Sequence, residues 1–209
     1  MCGIFAIINN DFSKDKVLNL FQKGKGRGPE TSKITELSFP NIFLGFHRLA
    51  INGYNDELSN QPFFIDGVYL ICNGEIYNWK KLYEMMKIEG YSKSDCEVII
   101  HLYIKYGFEQ MINMLDGVFA FILVDTNTNK IFISRDLYGV RPLFFQRNSN
   151  HWIFASELKQ LSGLMYQPIK NQFSPGTYTQ INYSNVNDNL TKYIPVSYTH
   201  LTLPTTPYV

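Results

Sequence analysis

Cys2 stands one residue from the start of the chain, in Met1-Cys2-Gly3-Ile4-Phe5. A free cysteine is most often a small buried hydrophobe, but a place beside the terminus supplies a second reading. Cys2 and Gly3 are both small, so an aminopeptidase acting here would remove Met1 and leave Cys2 with a free α-amine. Such an amine titrates at about 7.7–8.0 in model compounds. It can take the proton of its own side chain, giving an N-terminal nucleophile that needs no histidine. A cysteine is also an intrinsically strong nucleophile near neutral pH. The chemistry would be attack on an amide, a thioester and release of ammonia. A developing oxyanion asks for two aligned donors. Asn73-Gly74, directly after the apolar run Val68–Cys72, offers a side-chain amide and a backbone N–H, and the same pair also reads as an ordinary turn. Arg48 and Asp95 would read the two charged ends of a free amino acid, the first pairing with an α-carboxylate and the second accepting from an α-ammonium. Each has a plain alternative: a surface arginine, and an acid favoured in the first turn of a helix.

The elements that must hold these residues follow from the hydrophobic pattern. Cys2–Ile8, Ile42–Phe46 and Val68–Cys72 read as buried strands. Asp11–Phe21 has a helical period, ended by Gly24, Gly26, Gly28 and Pro29. Asn78 is placed to cap a helix over Trp79–Glu89, stopped by Gly90. Ser94-Asp95-Cys96-Glu97 fits a capping box before Val98, Ile99, Leu102 and Tyr103, and Phe108–Leu115 continues as a shorter helix. Val118–Val124 is apolar throughout, so both its faces are expected to be buried. It pairs back with Lys130–Ser134 as a hairpin. A second hairpin joins Leu143–Phe145 to Trp152–Ala155, Ser156 caps a short helix over Glu157–Leu161, and Thr177–Ile181 is a late strand. Strands, then helices, then strands, with both strand groups doubly buried, predict an α+β fold: a four-layer α/β/β/α sandwich. The Thr/Pro-rich stretch Pro195–Val209 carries neither period and reads as an unstructured tail, its place in the natural protein left open, behind a domain over residues 1–194.

The chain has 209 residues, 45% apolar and 18% charged, with a formal net charge of +1. That balance is globular, and it offers no field to attract nucleic acid or an acidic membrane surface. The basic clusters near Lys14–Lys16 and Lys23–Arg27 are short enough to be solvated surface. The three cysteines, Cys2, Cys72 and Cys96, form no metal-binding spacing and no disulfide framework. No metal is therefore expected, and the cytoplasm is the expected compartment. No apolar run reaches the roughly 18 residues of a membrane span.

Many ordered segments together resemble one family. They are Met1-Cys2-Gly3-Ile4, Arg27-Gly28-Pro29, Phe46-His47-Arg48-Leu49-Ala50-Ile51, Gln61-Pro62, Asn73-Gly74-Glu75-Ile76-Tyr77-Asn78, Asp95 with Glu97, and Leu115-Asp116-Gly117-Val118-Phe119-Ala120-Phe121. Arg135-Asp136-Leu137-Tyr138-Gly139-Val140-Arg141-Pro142-Leu143-Phe144, Ala155-Ser156-Glu157 and Pro175-Gly176 follow in the same order. From residue 1 to about 194 the chain is similar to the class II glutamine amidotransferase domain of glutamine-hydrolysing asparagine synthetases.

The resemblance implies an N-terminal-nucleophile hydrolase fold, with Cys2 as nucleophile and Asn73 and Gly74 as the oxyanion hole. It implies a glutamine pocket lined by Arg48, Leu49, Ala50, Ile51, Asn52, Asn73, Gly74, Glu75 and Asp95. L-Glutamine would be the substrate and a synthetase domain in cis the user of the ammonia, and a homodimer is left open. No cofactor is implied for the glutaminase half. ATP and Mg would serve the synthetase domain, whose Ser-Gly-Gly-x-Asp-Ser loop is not in this sequence. The Arg135–Leu143 segment is expected to shape the core and the face toward that domain. Two positions depart from the family pattern, which has His before Arg-Gly-Pro and Asp after it; here they are Gly26 and Glu30. Two other readings stand beside this one. One is an amidotransferase serving phosphoribosyl diphosphate or a hexose phosphate, and the other is a non-catalytic glutamine-binding module. Cys72, Cys96 and His47 are expected to be packing residues, and Trp79 and Trp152 core or interface anchors.

Overall fold

The computed structural model describes residues 1–38, 41–147, 151–162, 171–183 and 191–195. The strands are β1 (Gly3–Ile8), β2 (Thr31–Leu37), β3 (Ile42–Arg48), β4 (Phe63–Ile65), β5 (Val68–Ile76), β6 (Gly117–Asp125), β7 (Lys130–Arg135), β8 (Phe144–Arg147), β9 (Trp152–Ala155), β10 (Asn171–Gln172), β11 (Thr177–Asn182) and β12 (Thr191–Pro195). The helices are α1 (Lys14–Gln22), α2 (Trp79–Met86), α3 (Val98–Tyr106) and α4 (Phe108–Met114). Among the described residues the strands form two six-stranded antiparallel sheets, ordered β10-β8-β9-β1-β3-β2 and β12-β11-β7-β6-β5-β4.

Side-chain alternation along the strands builds the layers. Ile4, Ala6 and Ile8 of β1 and Ile42, Leu44 and Phe46 of β3 point inward. They meet Ile71 of β5, Ala120, Ile122 and Val124 of β6, and Ile131 and Ile133 of β7 in one apolar layer between the sheets. The opposite parity of the second sheet, Leu70, Cys72, Phe119, Phe121 and Leu123, packs under Leu82 and Met86 of α2, Val98, Ile99 and Leu102 of α3, and Phe108 and Met111 of α4. The opposite parity of the first sheet, Phe5, Ile7, Phe43 and Ile153, packs under Val17, Leu20 and Phe21 of α1. The order is helix, sheet, sheet, helices, as the doubly buried strands predict.

Gly45 shows why the α1 layer sits so close. A Cβ at this position would lie 2.6 Å from two carbons of the Phe21 ring. That ring stacks on His47 at 4.0 Å, and His47 Nε2 meets the Phe21 carbonyl at 2.9 Å. Gly45→Ala is therefore expected to cost about 1–3 kcal/mol by overpacking, read as a lower Tm in thermal unfolding.

Several expected boundaries move. α2 ends at Met86 with Lys87 in the left-handed conformation, so Gly90 is not its stop. Asn78 does not cap it with its side chain: Asn78 Nδ2 donates to the Met114 carbonyl and Asn78 Oδ1 accepts from the Asp116 N–H, tying α2 to the start of β6. Ser156 caps no helix either. Its hydroxyl and its N–H both engage Ile4, stitching the end of β9 to β1, and only a short 3-10 turn follows at Leu158–Leu161. Pro195 closes β12; the rest of the Pro195–Val209 call lies outside the described residues.

Candidate active site

Cys2 immediately precedes β1, whose Gly3 pairs with His47 of β3. It shares the inward parity of Ile4 and packs against the layer between the sheets. Arg27 fixes its backbone, with Nε donating to the Cys2 carbonyl at 2.9 Å. The chain can run this close because Gly28 has no side chain: a Cβ there would lie 2.3 Å from the carbonyl of His47. Cys2 Sγ donates to the Leu49 carbonyl at 3.3 Å and accepts from the Leu49 N–H at 3.5 Å. Burial pushes the thiol above its ordinary value, against the lowering pull of the Leu49 contact and of the positive chain terminus. The sulfur in this state is a neutral thiol that needs a base. Met1 is exposed.

Cys2 opens onto a cleft lined by Arg48, Leu49, Ala50, Ile51, Asn52, Gly74, Glu75 and Asp95, together with Ser59, Gln61, Cys72 and Cys96. Eight of the expected glutamine-pocket residues thus meet around the expected nucleophile. The segment after β3 is held from several sides. The Ala50 N–H donates to Glu30 at 2.9 Å, so Glu30, one of the two departures from the family pattern, pins the cleft wall. Gly26, the other, borders open space. Asn52 Nδ2 donates to Asp95 at 3.0 Å, and the other Asp95 oxygen accepts the Ile76 N–H at 2.7 Å. Arg48 is buried, but both its terminal nitrogens are occupied: one meets the Asp56 carbonyl and Asn60 Oδ1, the other the carbonyls of Asn52 and Gly53. In this state it organises the 52–60 loop.

Asn73 and Gly74 are not in a turn. β5 runs past Cys72 to Ile76, paired with β6 through nine successive residues, Asn73 opposite Ala120 and Gly74 opposite Phe119. Asn73 shares the parity of Ile71 and so belongs to the layer between the sheets, where β1 and β5 touch. It does not line the cleft itself. It is buried, and its Nδ2 has no hydrogen-bond partner among the described residues. A buried donor without an acceptor is uncommon in native structures and asks for an explanation. His47 points the other way, onto Phe21, and burial pushes its pKa down. It is a packing residue, as expected.

The turn that carries Asp95 departs from the expected capping box. The Ser94 hydroxyl accepts from the Cys96 N–H, but Glu97 does not reach back to Ser94. Its two oxygens take the N–H groups of Tyr91 and Ser92, both at 2.6 Å, and one also meets His101 Nε2 at 3.0 Å. Burial raises the Glu97 pKa, but these hydrogen bonds outweigh it and leave it below the ordinary value. A depressed carboxylate contributes stability that is complete above its unfolded pKa and is lost as pH falls through the folded one. Glu97→Gln is expected to cost about 1–3 kcal/mol at pH 7. The Tm difference from the parent should shrink as the pH is lowered below the ordinary carboxylate range, read by thermal unfolding across pH.

Sequence reasoning gave no role to several residues that shape the cleft. Gln61 clamps the backbone of Cys72, accepting its N–H and donating to its carbonyl. Its signal was the Gln61-Pro62 pair. Cys72 and Cys96 are buried as expected, yet both also border the cleft. Trp79 and Trp152 are partly buried against the helix-side and inter-sheet clusters.

Comparison with known families gives a model described as a glutamine amidotransferase domain, matched by residues 1–196. The chain belongs to the glutamine amidotransferase domain family. The amidotransferase domain is 42% identical over 192 residues to a probable glutamine-hydrolysing asparagine synthetase of Acanthamoeba polyphaga mimivirus, covering 88% of this chain and 34% of that protein. It is 38% identical over 187 residues to the human glutamine-hydrolysing asparagine synthetase, covering 85% and 33%. The chain therefore spans about a third of the length of these relatives. In fold it is similar to the glutamine phosphoribosylpyrophosphate amidotransferase of B. subtilis, with a TM-score of 0.73 and 18% identity over 94% of this chain and 49% of that one. A structure titled as the allosteric regulatory enzyme of purine biosynthesis gives a TM-score of 0.77 at the same identity and coverage. The fold is thus of the N-terminal-nucleophile hydrolase type. Among the described residues, no helix is long and apolar enough to cross a membrane.

Proposed function

We propose that this domain hydrolyses L-glutamine to glutamate and ammonia through a thioester on Cys2, and that the ammonia serves an aspartate-amidating synthetase domain like that of its relatives. The observation that carries the reading is the convergence of Cys2 Sγ with Arg48, Leu49–Asn52, Gly74, Glu75 and Asp95 around one cleft in a chain of the amidotransferase family. Identities of 38–42% do not set the acceptor by themselves; aspartate is chosen because the relatives that match over most of this chain are named asparagine synthetases.

In this mechanism the α-amine of Cys2, freed by removal of Met1, takes the thiol proton. The sulfur attacks the glutamine side-chain carbonyl carbon, and the carbonyl oxygen becomes an oxyanion. Asn73 Nδ2 and the Gly74 N–H stabilise it as it forms. The ammonium of Cys2 returns the proton to the leaving nitrogen, ammonia departs, and water then cleaves the thioester to glutamate. Asp95 and Glu75 take the substrate ammonium, and Arg48 takes its carboxylate.

In this structure the cleft is narrow, with about 40 Å³, room for a few water molecules. On binding, the guanidinium of Arg48 exchanges carbonyls of the 52–60 loop for the substrate carboxylate. Tyr54 and Leu58 of this loop are exposed. The test is incubation of the Met1-free chain with L-glutamine, following glutamate and ammonia together. The expected result is equal yields of both. Tight glutamine binding with no turnover, on protein with an intact free amine at Cys2, would support a non-catalytic module instead.

A further inference from the structure

The Arg135–Leu143 segment holds one side chain in place with unusual care. The Asp136 carboxylate accepts the N–H groups of Phe119, Tyr138, Val140 and Arg141. The Arg135 guanidinium donates to the carbonyls of Gly139, Arg141 and Phe173 at 2.6–2.7 Å. The backbone of Arg141 is thus gripped on both sides, its N–H by Asp136 and its carbonyl by Arg135. Its side chain is buried and directed to Glu75, with Nη2 at 3.6 Å from Oε2. Glu75 belongs to the cleft wall, and its register partner Val118 adjoins Phe119, whose N–H Asp136 holds. Asp136, β6, β5 and Arg141 form a closed circuit around Glu75.

This arrangement is expensive as mere packing. Among the described residues, buried Arg141 has no partner at Nε and a single ion pair, and an apolar side chain of similar size would fill such a place at lower cost. We infer that Arg141 is a positioning residue for glutamine: it holds the Glu75 carboxylate at the cleft, in the orientation that accepts the substrate ammonium. The inference rests on the glutaminase reading above. It assigns the Arg135–Leu143 segment a part in substrate affinity exerted through Glu75, beyond shaping the core.

A double-mutant cycle tests it. Glutamine KM and kcat would be measured for the Met1-free parent, Arg141→Met, Glu75→Gln and the double variant. Glutamine affinity would also be measured by calorimetry with all four proteins remade on a Cys2→Ala background, where no turnover occurs. Arg141→Met is expected to raise KM about 10-fold with kcat within about 3-fold, since it removes an interaction made to bound substrate and transition state alike. The double variant should be no worse than the weaker single one, and Arg141→Lys should recover part of the loss. Multiplicative effects in the double variant, or a fall in kcat with KM and affinity unchanged, overturn the inference. If Arg141→Met fails to fold, the Arg141→Lys and Glu75→Gln cycle gives the same readout. Failure of the underlying glutaminase reading would show separately, as ammonia release by the parent no greater than by Cys2→Ala.

Discussion

Cys2→Ala is expected to lower ammonia release from glutamine by at least about 10³-fold, or roughly 4 kcal/mol of transition-state stabilisation, while Tm changes by no more than a few degrees. The chemical loss is large because the sulfur is the only atom proposed to bond to the substrate. The structural loss is small because Cys2 is only partly buried and precedes β1 instead of lying in it. Beside its packing on the inter-sheet layer, its sulfur makes one weak pair of hydrogen bonds, to the backbone of Leu49. Glutamine binding should survive, since Arg48, Glu75 and Asp95 are untouched. In the active protein the rate should rise with pH through the titration of the Cys2 α-amine, at about 7.7–8.0 in model compounds, because only the neutral amine can accept the thiol proton. Steady-state ammonia assays, thermal unfolding and glutamine calorimetry on the variant check each part.

Asn73→Ala is expected to lower kcat about 10²–10³-fold with little change in KM, the pattern of a lost oxyanion donor. The same change should leave stability nearly untouched, and this second half is the more telling. A buried asparagine that hydrogen-bonds in the resting fold is costly to remove, by about 1–3 kcal/mol when its partner is left unsatisfied. Here Nδ2 is buried with no acceptor among the described residues, so truncation orphans nothing at that atom. A donor that is idle in the free protein and useful only when charge develops is what differential binding of a transition state requires. Kinetics and thermal unfolding of the one variant separate the two effects.

The layers of the fold were legible because the strands that build them are apolar on both faces. Val118–Val124 is uniform, and the structure extends it by only one residue at each end as β6. The errors came where a neighbouring strand or loop outweighed local preference. Asn73-Gly74 is a turn pair by propensity, yet nine successive pairings with β6 carry β5 through it to Ile76. β2 was missed because Thr31–Leu37 is polar and mostly exposed; it is a strand through its full-length pairing with β3. Glu97 has the spacing of a capping box, but the folded-back Tyr91 and Ser92 present nearer donors.

The site divides in the same way. Residue type left Cys2, Arg48, Asn73, Gly74 and Asp95 open to plain structural readings, and it was the resemblance of the ordered motifs that singled them out; the structure brings Cys2, Arg48, Gly74 and Asp95 to one cleft. Their present partners could not be read from either. That Arg48 is taken up by carbonyls of the 52–60 loop depends on where that loop folds. Glu30 and Arg141 reach the cleft wall from distant segments, and no spacing in the chain reveals those contacts.

The central claim is that the α-amine of Cys2 is the base for its own thiol. Two preparations of the same chain test it, one with Met1 removed and one with Met1 retained, each verified by intact mass and assayed for ammonia release from glutamine. The account predicts release from the first and essentially none from the second, since retained Met1 turns the α-amine into an amide nitrogen. Equal rates from the two preparations would contradict it.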